Sequence, residues 1–242
     1  MAVLDQESER LRRVFSAYTQ AGLPKSRWSL TNRGNLAIHQ EISQTLVEML
    51  TRNNLMPLDN KRILEVGCGD GRVLQGLISM GAKSHFVSGV DMLDERINSA
   101  RCVLPEVDLR VADARFLPFP PESFDIVVTF TLFSSILQTQ FARQVASEMR
   151  RVLKPGGAAV YYDFQYDNPR NPNVRGIKRA EVEQYFEDFQ PSWKRLTLFP
   201  PLARRLGIFT PIAYPLLAAV PFLRTHLMGI LIKPGAAGKS RK

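Results

Sequence analysis

Apolar residues recur along the chain with two different periods. Ile38, Ile42, Leu46, Met49 and Leu50 fall at three- and four-residue intervals, the stripe of a helix that packs against other structure. An earlier helix is predicted over residues 5–20, with a loop at 23–35 that carries Pro24, Trp28, Asn32 and Gly34. Residues 61–66 are instead a short continuous run of the kind that forms a strand covered on both faces, and Val73, Leu74 and Leu77 resume helical spacing. Further strands are predicted at 86–91, 107–112 and 124–130, the last introduced by the turn Pro120-Pro121-Glu122-Ser123. Phe141, Val145, Met149 and Val152 mark a helix that stops at 153–157, before a strand at 158–163. Residues 193–199 and 227–232 supply two more strand candidates.

The passage Ile63 to Arg72 organises this pattern, because a buried strand runs directly into a glycine-rich turn and a helix. Gly67, Gly69 and Gly71 let the backbone turn sharply and leave no side chain between its amides and a ligand. A dinucleotide fingerprint would place a small residue at position 72, where Arg72 stands, and no Gly-Lys-Ser/Thr of a phosphate-binding loop follows. Asp91 closes the second strand 24 residues after Gly67, where a nucleotide-binding α/β unit puts the acid that accepts from ribose hydroxyls. The third strand ends in Asp113-Ala114.

Five ordered signals together resemble the class I S-adenosylmethionine (SAM) dependent methyltransferases, in the branch called type 11. They are Glu65-x-Gly67-x-Gly69-x-Gly71, Asp91, Asp113, the passage from Leu117-Pro118-Phe119-Pro120 to Phe124-Asp125, and Met149 to Gly157. The resemblance implies an α/β fold, a doubly wound, Rossmann-like, mostly parallel sheet of seven strands in the order 3-2-1-4-5-7-6 with the last strand antiparallel. It implies SAM as cofactor, with Asp113 accepting from the adenine amino group. The cofactor-binding set is Glu65, Gly67, Gly69, Gly71, Asp91, Met92, Asp113, Ala114 and Thr129. No Asn-Pro-Pro-Tyr stands at the end of strand four, where Thr129-Phe130-Thr131-Leu132 occurs, which counts against the branches that methylate amides and adenine amino groups.

Length and composition narrow the class further. The 242 residues, 45% of them hydrophobic, suit one large α/β domain with additions. Cys68 and Cys102 make neither a metal spacing nor a disulfide framework, and radical SAM chemistry, which needs three clustered cysteines, is excluded. His39, His85 and His226 are too far apart to read as a metal set. The N-terminal stretch lacks the apolar core of a signal peptide, so the expected location is cytoplasmic, with peripheral contact at the inner face of the membrane as a variant. The formal charge of +9 invites an anionic partner, but Lys and Arg are scattered in ones and twos, which argues against nucleic acid.

The expected organisation is an N-terminal helical cap at 1–56, a SAM-binding core at 57–199, an apolar insertion at 200–224, a closing strand at 225–233 and a disordered tail at 234–242. Residues 206–223 carry no charge and are flanked by Arg204, Arg205 and Arg224. That length reaches the lower limit of a membrane span, yet Pro211, Pro215 and Pro221 break it. A lid over the acceptor pocket and a segment lying in a membrane interface are the two readings left. The loop at 25–33 is a second lid candidate or a surface linker.

Acceptor chemistry is expected from the loop after strand five, since open α/β sheets bind ligands at the C-terminal ends of their strands. Asp163 and Asp167 are the candidates for a general base or hydroxyl-orienting group, and Arg170 and Arg175 for holding an anionic group of the acceptor. Part of this loop and of the insertion is similar to methyltransferases encoded beside bacterial polysaccharide biosynthesis enzymes. That similarity implies O-methylation of a saccharide or lipid-linked glycan hydroxyl, against the alternatives of a quinone or other small-molecule acceptor and of a SAM-binding protein without turnover.

Overall fold

The computed structural model describes residues 2–21 and 28–235. The elements are α1 (Ala2–Gln20), α2 (Arg33–Arg52), β1 (Ile63–Val66), α3 (Arg72–Ser79), β2 (Val87–Asp91), α4 (Asp94–Val103), β3 (Asp108–Val111) and β4 (Phe124–Phe130). They continue with α5 (Thr139–Val152), β5 (Leu153–Phe164), α6 (Arg179–Tyr185), β6 (Gln190–Leu198), α7 (Pro200–Ala203), α8 (Thr210–Ala218) and β7 (Arg224–Ile232).

The seven strands form one sheet in the order β3-β2-β1-β4-β5-β7-β6. β7 runs antiparallel to both of its neighbours and the other pairs are parallel, as the resemblance implied. β1 sits in the middle with every residue buried, which is why its sequence is a continuous apolar run interrupted only by Glu65. One face is covered by α5 and α6, whose Phe141, Val145, Met149, Val182 and Tyr185 pack with Leu64, Val66 and Val127, and Leu11 of α1 joins the same cluster. The other face is covered by α2, α3 and α4 through Leu46, Leu50, Leu74, Leu77 and Ile97 against Ile63, Ile126 and Val128.

Three strands at the closing edge are longer than the sequence suggests. β5 starts at Leu153 because the chain through Gly156 and Gly157 still pairs with the end of β7, Gly156 N–H donating to Lys233 O at 3.0 Å and Lys233 N–H to Gly157 O at 2.8 Å. β6 and β7 pair from Gln190 opposite Ile232 to Leu198 opposite Arg224. The early half of β6 is polar and partly exposed, as an edge strand can be, and so gives no apolar alternation to read.

The segment between β6 and β7 emerges beyond the edge at which the parallel strands end. Its α7 and α8 lie on α2, where Ile38, Leu198, Ala203, Tyr214 and Ala218 form a third core. Glu41 of α2 accepts from Thr197 N–H at 2.9 Å and from the Tyr214 hydroxyl at 2.7 Å. Thr197 takes a left-handed backbone, φ +66, which opens the β6–β7 ladder and frees its N–H for that carboxylate. No helix among the described residues is long and apolar enough to cross a membrane. The tail expected to be disordered lies, from residue 236 on, outside the described residues.

Candidate active site

The β1–α3 turn explains its three glycines directly. Gly67, Gly69 and Gly71 all take positive φ, at 78, 53 and 82 degrees, a region that side-chain-bearing residues enter only with strain. A Cβ on Gly71 would also sit 2.8 Å from Leu104 Cδ1. Gly67 and Cys68 N–H both donate to Val90 O, and Gly69 N–H donates to Asp91 Oδ2 at 3.0 Å. Asp91 Oδ1 accepts from Leu93 N–H at 3.0 Å, so this carboxylate ties the glycine turn to the end of β2. Burial pushes the Asp91 carboxyl above its ordinary pKa, against the charge of Arg96 and the two N–H donors.

Two buried oxygens beside this turn lack partners. Glu65 Oε2 and Thr129 Oγ1 make no hydrogen bond, and their residues are 2% and 0% exposed. Burial, then the nearby Asp91 charge, holds the Glu65 carboxyl well above the usual carboxylate range. A buried polar atom without a partner costs free energy until a ligand or water satisfies it, so each keeps accepting capacity behind the turn.

A cleft with a cavity volume of about 130 Å³ opens at the C-terminal ends of β1, β2 and β4. Gly67, Asp91, Met92, Asp113 and Ala114 stand on its wall, while Glu65, Gly69, Gly71 and Thr129 do not line it. The rest of the wall is mostly apolar, including Leu93, Phe130, Leu132, Ile136 and Phe141. Thr131, also on the wall, has φ +52 and donates its N–H to Tyr162 O at 2.7 Å. A non-glycine residue held there is strain of the kind that gathers at ligand sites.

The cover of this cleft is α1. Leu11 and Phe15 line it from above, and polar contacts on either side pin the helix down. Arg12 donates to Met92 O at 2.9 Å and Ser16 to Glu95 at 2.7 Å, while the Arg96 guanidinium lies 4.9 Å from the Phe15 ring centre and donates to Thr19. Glu7 accepts from Leu137 N–H at 2.7 Å and from Arg10, which in turn donates to Ser135 O. Asp113 is gripped by Arg115 at 2.7 and 3.1 Å, and Arg115 also donates to Ser8 of α1 at 2.9 Å. Burial alone would raise the Asp113 pKa, but the Arg115 hydrogen bonds hold it below the ordinary value.

The sequence marks 5–20 as a helix within an N-terminal helical cap at 1–56, without naming the cleft it covers. The signal that could have marked its role is the mixed face on which Leu11 and Phe15, four residues apart, are interleaved with Ser8, Arg12, Ser16 and Thr19. The insertion at 200–224, read as a lid candidate, contributes nothing to the cleft wall, because its buried side chains are spent on α2. In the other lid candidate, residues 25–27 lie outside the described residues, and Trp28 stands under the Arg204 guanidinium at 4.7 Å, beside the insertion.

The candidate acceptor groups are placed differently from expectation. Asp163 is fully buried, with Oδ2 accepting from Ser134 N–H at 2.9 Å and Oδ1 from Phe164 N–H at 2.8 Å. Its pKa rises to about 6 through burial, against those hydrogen bonds. Asp167 accepts from Gly176 N–H at 2.8 Å. Both carboxylates fasten the loop after β5 and neither reaches the cleft wall. Arg175 is committed to Glu181 at 2.6 and 2.9 Å and to Ile136 O, so it is not available as an anion clamp, while Arg170 is exposed.

Comparisons with known proteins bear on the same elements. Residues 63–157, from β1 into β5, match the family model described as a methyltransferase domain. A probable SAM-dependent methyltransferase of Mycolicibacterium smegmatis is 31% identical over 134 residues, covering 52% of this chain and 49% of that protein. A fatty-acid O-methyltransferase of the same organism is 32% identical over 153 residues, covering 61% of this chain and 50% of that protein. The chain thus spans about half the length of the curated relatives it matches. The crystal structure of a SAM-dependent methyltransferase from Methanosarcina mazei superposes with a TM-score of 0.56 at 19% identity, covering 76% of this chain and 97% of that one, a likeness of fold. The cofactor that the domain match and the fold imply is SAM. The residues fit it: a glycine turn without side chains, an unpartnered Glu65 oxygen behind it, and two acids, Asp91 and Asp113, on one cleft wall.

Proposed function

We propose that this chain is a SAM-dependent methyltransferase whose acceptor is a hydroxyl carried on a lipid-linked glycan. The observation that carries the methyltransferase reading is the cleft at the C-terminal strand ends, where the glycine turn, Asp91 and Asp113 meet beside the unpartnered Glu65 oxygen. A lipid-linked acceptor is favoured over a free saccharide because the cleft wall is mainly apolar and an acceptor with an apolar carrier gains from that surface what a free sugar does not. The similar fatty-acid O-methyltransferase names an acceptor with an apolar body.

Bound SAM supplies a methyl group made electrophilic by its sulfonium sulfur. Asp91 offers its carboxylate to the ribose hydroxyls, and Asp113 keeps accepting capacity for the adenine amino group beside its Arg115 contacts, a carboxylate having about four lone-pair sites. Leu11 and Phe15 exclude water from the cleft, and the apolar wall orients the acceptor. Asp91 and Asp113 are the only acids on that wall among the described residues, and both are engaged. The reading therefore assigns the rate to positioning and desolvation and no base role to Asp163 or Asp167.

A quinone is the second reading, favoured by the same apolar wall. Purified protein given methyl-labelled SAM and fractionated bacterial extracts is expected to label the lipid-linked glycan fraction. Label confined to quinones would move the assignment to the second reading, and no label from a protein that binds SAM would leave a binding protein without turnover. Asp163→Asn and Asp167→Asn are expected to stay within about threefold of the wild-type rate. A loss of roughly 100- to 10,000-fold in either would restore a general base.

A further inference from the structure

The insertion between β6 and β7 carries an apolar surface that the methyltransferase reading does not use. Ile208, Phe209, Ile212, Leu216 and Phe222 are each 67 to 75% exposed. Among the described residues only Phe116 is a comparably exposed large apolar side chain. Single exposed apolar residues are ordinary on a protein surface, whereas five concentrated within fifteen positions are not.

This surface is not the product of a loose segment. Tyr214 and Ala218 of α8 are buried against Ile38, Leu198 and Ala203, and Glu41 holds the Tyr214 hydroxyl at 2.7 Å. α8 is therefore apolar on its outer face as well as its inner one, and a helix apolar all round is built to be covered on all sides. Its nine residues span about 14 Å, less than half of a bilayer core, so the covering phase is met from one side and not crossed.

Charge decides what covers it. No acid occurs between 200 and 224, and exposed arginines stand at the borders: Arg205 beside α7, Arg33 at the start of α2, whose neighbour Asn32 donates to Arg204 O, and Arg195, whose carbonyl accepts from Arg224. Neutral apolar side chains that project freely, bordered by arginines, match the acyl and anionic headgroup layers of a membrane surface. A rigid protein partner would need a fitted socket for each of the five side chains; a bilayer needs none. Because the insertion leaves the sheet at the edge where the cleft opens, contact through it would hold that edge toward the lipid.

We infer that the outer face of residues 206–223 docks this protein on an anionic lipid bilayer, with Phe209 and Phe222 as apolar anchors and Arg33, Arg195 and Arg205 at the headgroups. The inference stands apart from the cofactor reading, because docking needs neither SAM nor turnover. Flotation with phosphatidylcholine–phosphatidylglycerol vesicles tests it. Wild-type protein is expected to float with them, more weakly with phosphatidylcholine alone and more weakly at high salt. The Phe209→Asp/Phe222→Asp double variant is expected to lose roughly tenfold or more in vesicle affinity with an unchanged thermal melt, both side chains being exposed. Wild-type protein that stays behind, or a double variant that floats as well as the wild type, would overturn the inference. So would a wild-type dimer in size-exclusion chromatography that the double variant abolishes without any vesicle binding, since the occupant would then be a second copy.

Discussion

α1 and α8 both lie at the edge where the parallel strands end, and they are attached in different ways. α1 is rooted at Leu11, in the core cluster, and at the buried Glu7, while the rest of its length is held by partly exposed polar contacts, from Ser8, Arg12, Ser16 and Thr19 to Arg115, Met92, Glu95 and Arg96. Each such contact contributes on the order of 1 kcal/mol, because water competes for it. α8 is rooted by Tyr214 and Ala218 in a closed core and leaves its other face bare. A stretch of helix latched by polar contacts can be lifted to admit a ligand, while one rooted by packing keeps its exposed face in place. The cleft cover and the bare apolar face are thus two devices with different mechanical properties.

The largest expected effect lies at the root of the insertion. His226, near the start of β7, stacks on Tyr162 with ring centres 5.0 Å apart and lies 4.3 Å from the Phe164 ring. Burial pushes its pKa from 6.5 down to about 3. The folded protein therefore keeps this imidazole neutral while the unfolded chain protonates it, so its stability contribution is complete above pH 6.5 and is lost as pH falls toward 3. The loss at the acid end is on the order of 5 kcal/mol. His226→Phe keeps the stacking and removes the titration. Its acid unfolding midpoint, followed by Trp fluorescence, is expected to move to lower pH. An unchanged midpoint would show that the root is not where acid acts.

Smaller effects are expected on the cover, and on ligand affinity rather than on stability. Phe15→Ala opens the cleft wall and is expected to weaken SAM by roughly tenfold, about 1.4 kcal/mol, in calorimetry. Ser8→Ala removes one partner of Arg115 and is expected to cost only about threefold, chiefly by faster dissociation. A Phe15→Ala variant that melted far lower while binding SAM normally would reverse the comparison, making α1 structural.

How much of this was legible follows from the range of the interactions. The glycine turn could be read because three nearby positions demand a left-handed backbone, and Asp91 because a strand end is a local feature. The strands β1, β4 and β5 carry buried, largely apolar stretches that the sequence displays directly. The closing edge was harder, since β6 is half polar and Thr197 leaves the ladder for a carboxylate 156 positions away. An N-terminal helical cap was expected, but its partners were illegible for the same reason: Ser8 meets Arg115 across 107 positions, and nothing local to α1 names that contact. Asp163 was expected in the acceptor site from strand order alone. Its side chain turns instead to Ser134 N–H, a choice made by three-dimensional packing.

The central claim is that the cleft formed by the glycine turn, Asp91 and Asp113 binds SAM. Titration calorimetry of the wild type and of Asp91→Ala tests it most directly. Single-site SAM binding is expected, weakened in the variant by about 1.5 to 3 kcal/mol as hydrogen bonds to a charged group are lost. No SAM binding by the wild type, binding of NADH in its place, or equal SAM affinity in the variant would contradict the account.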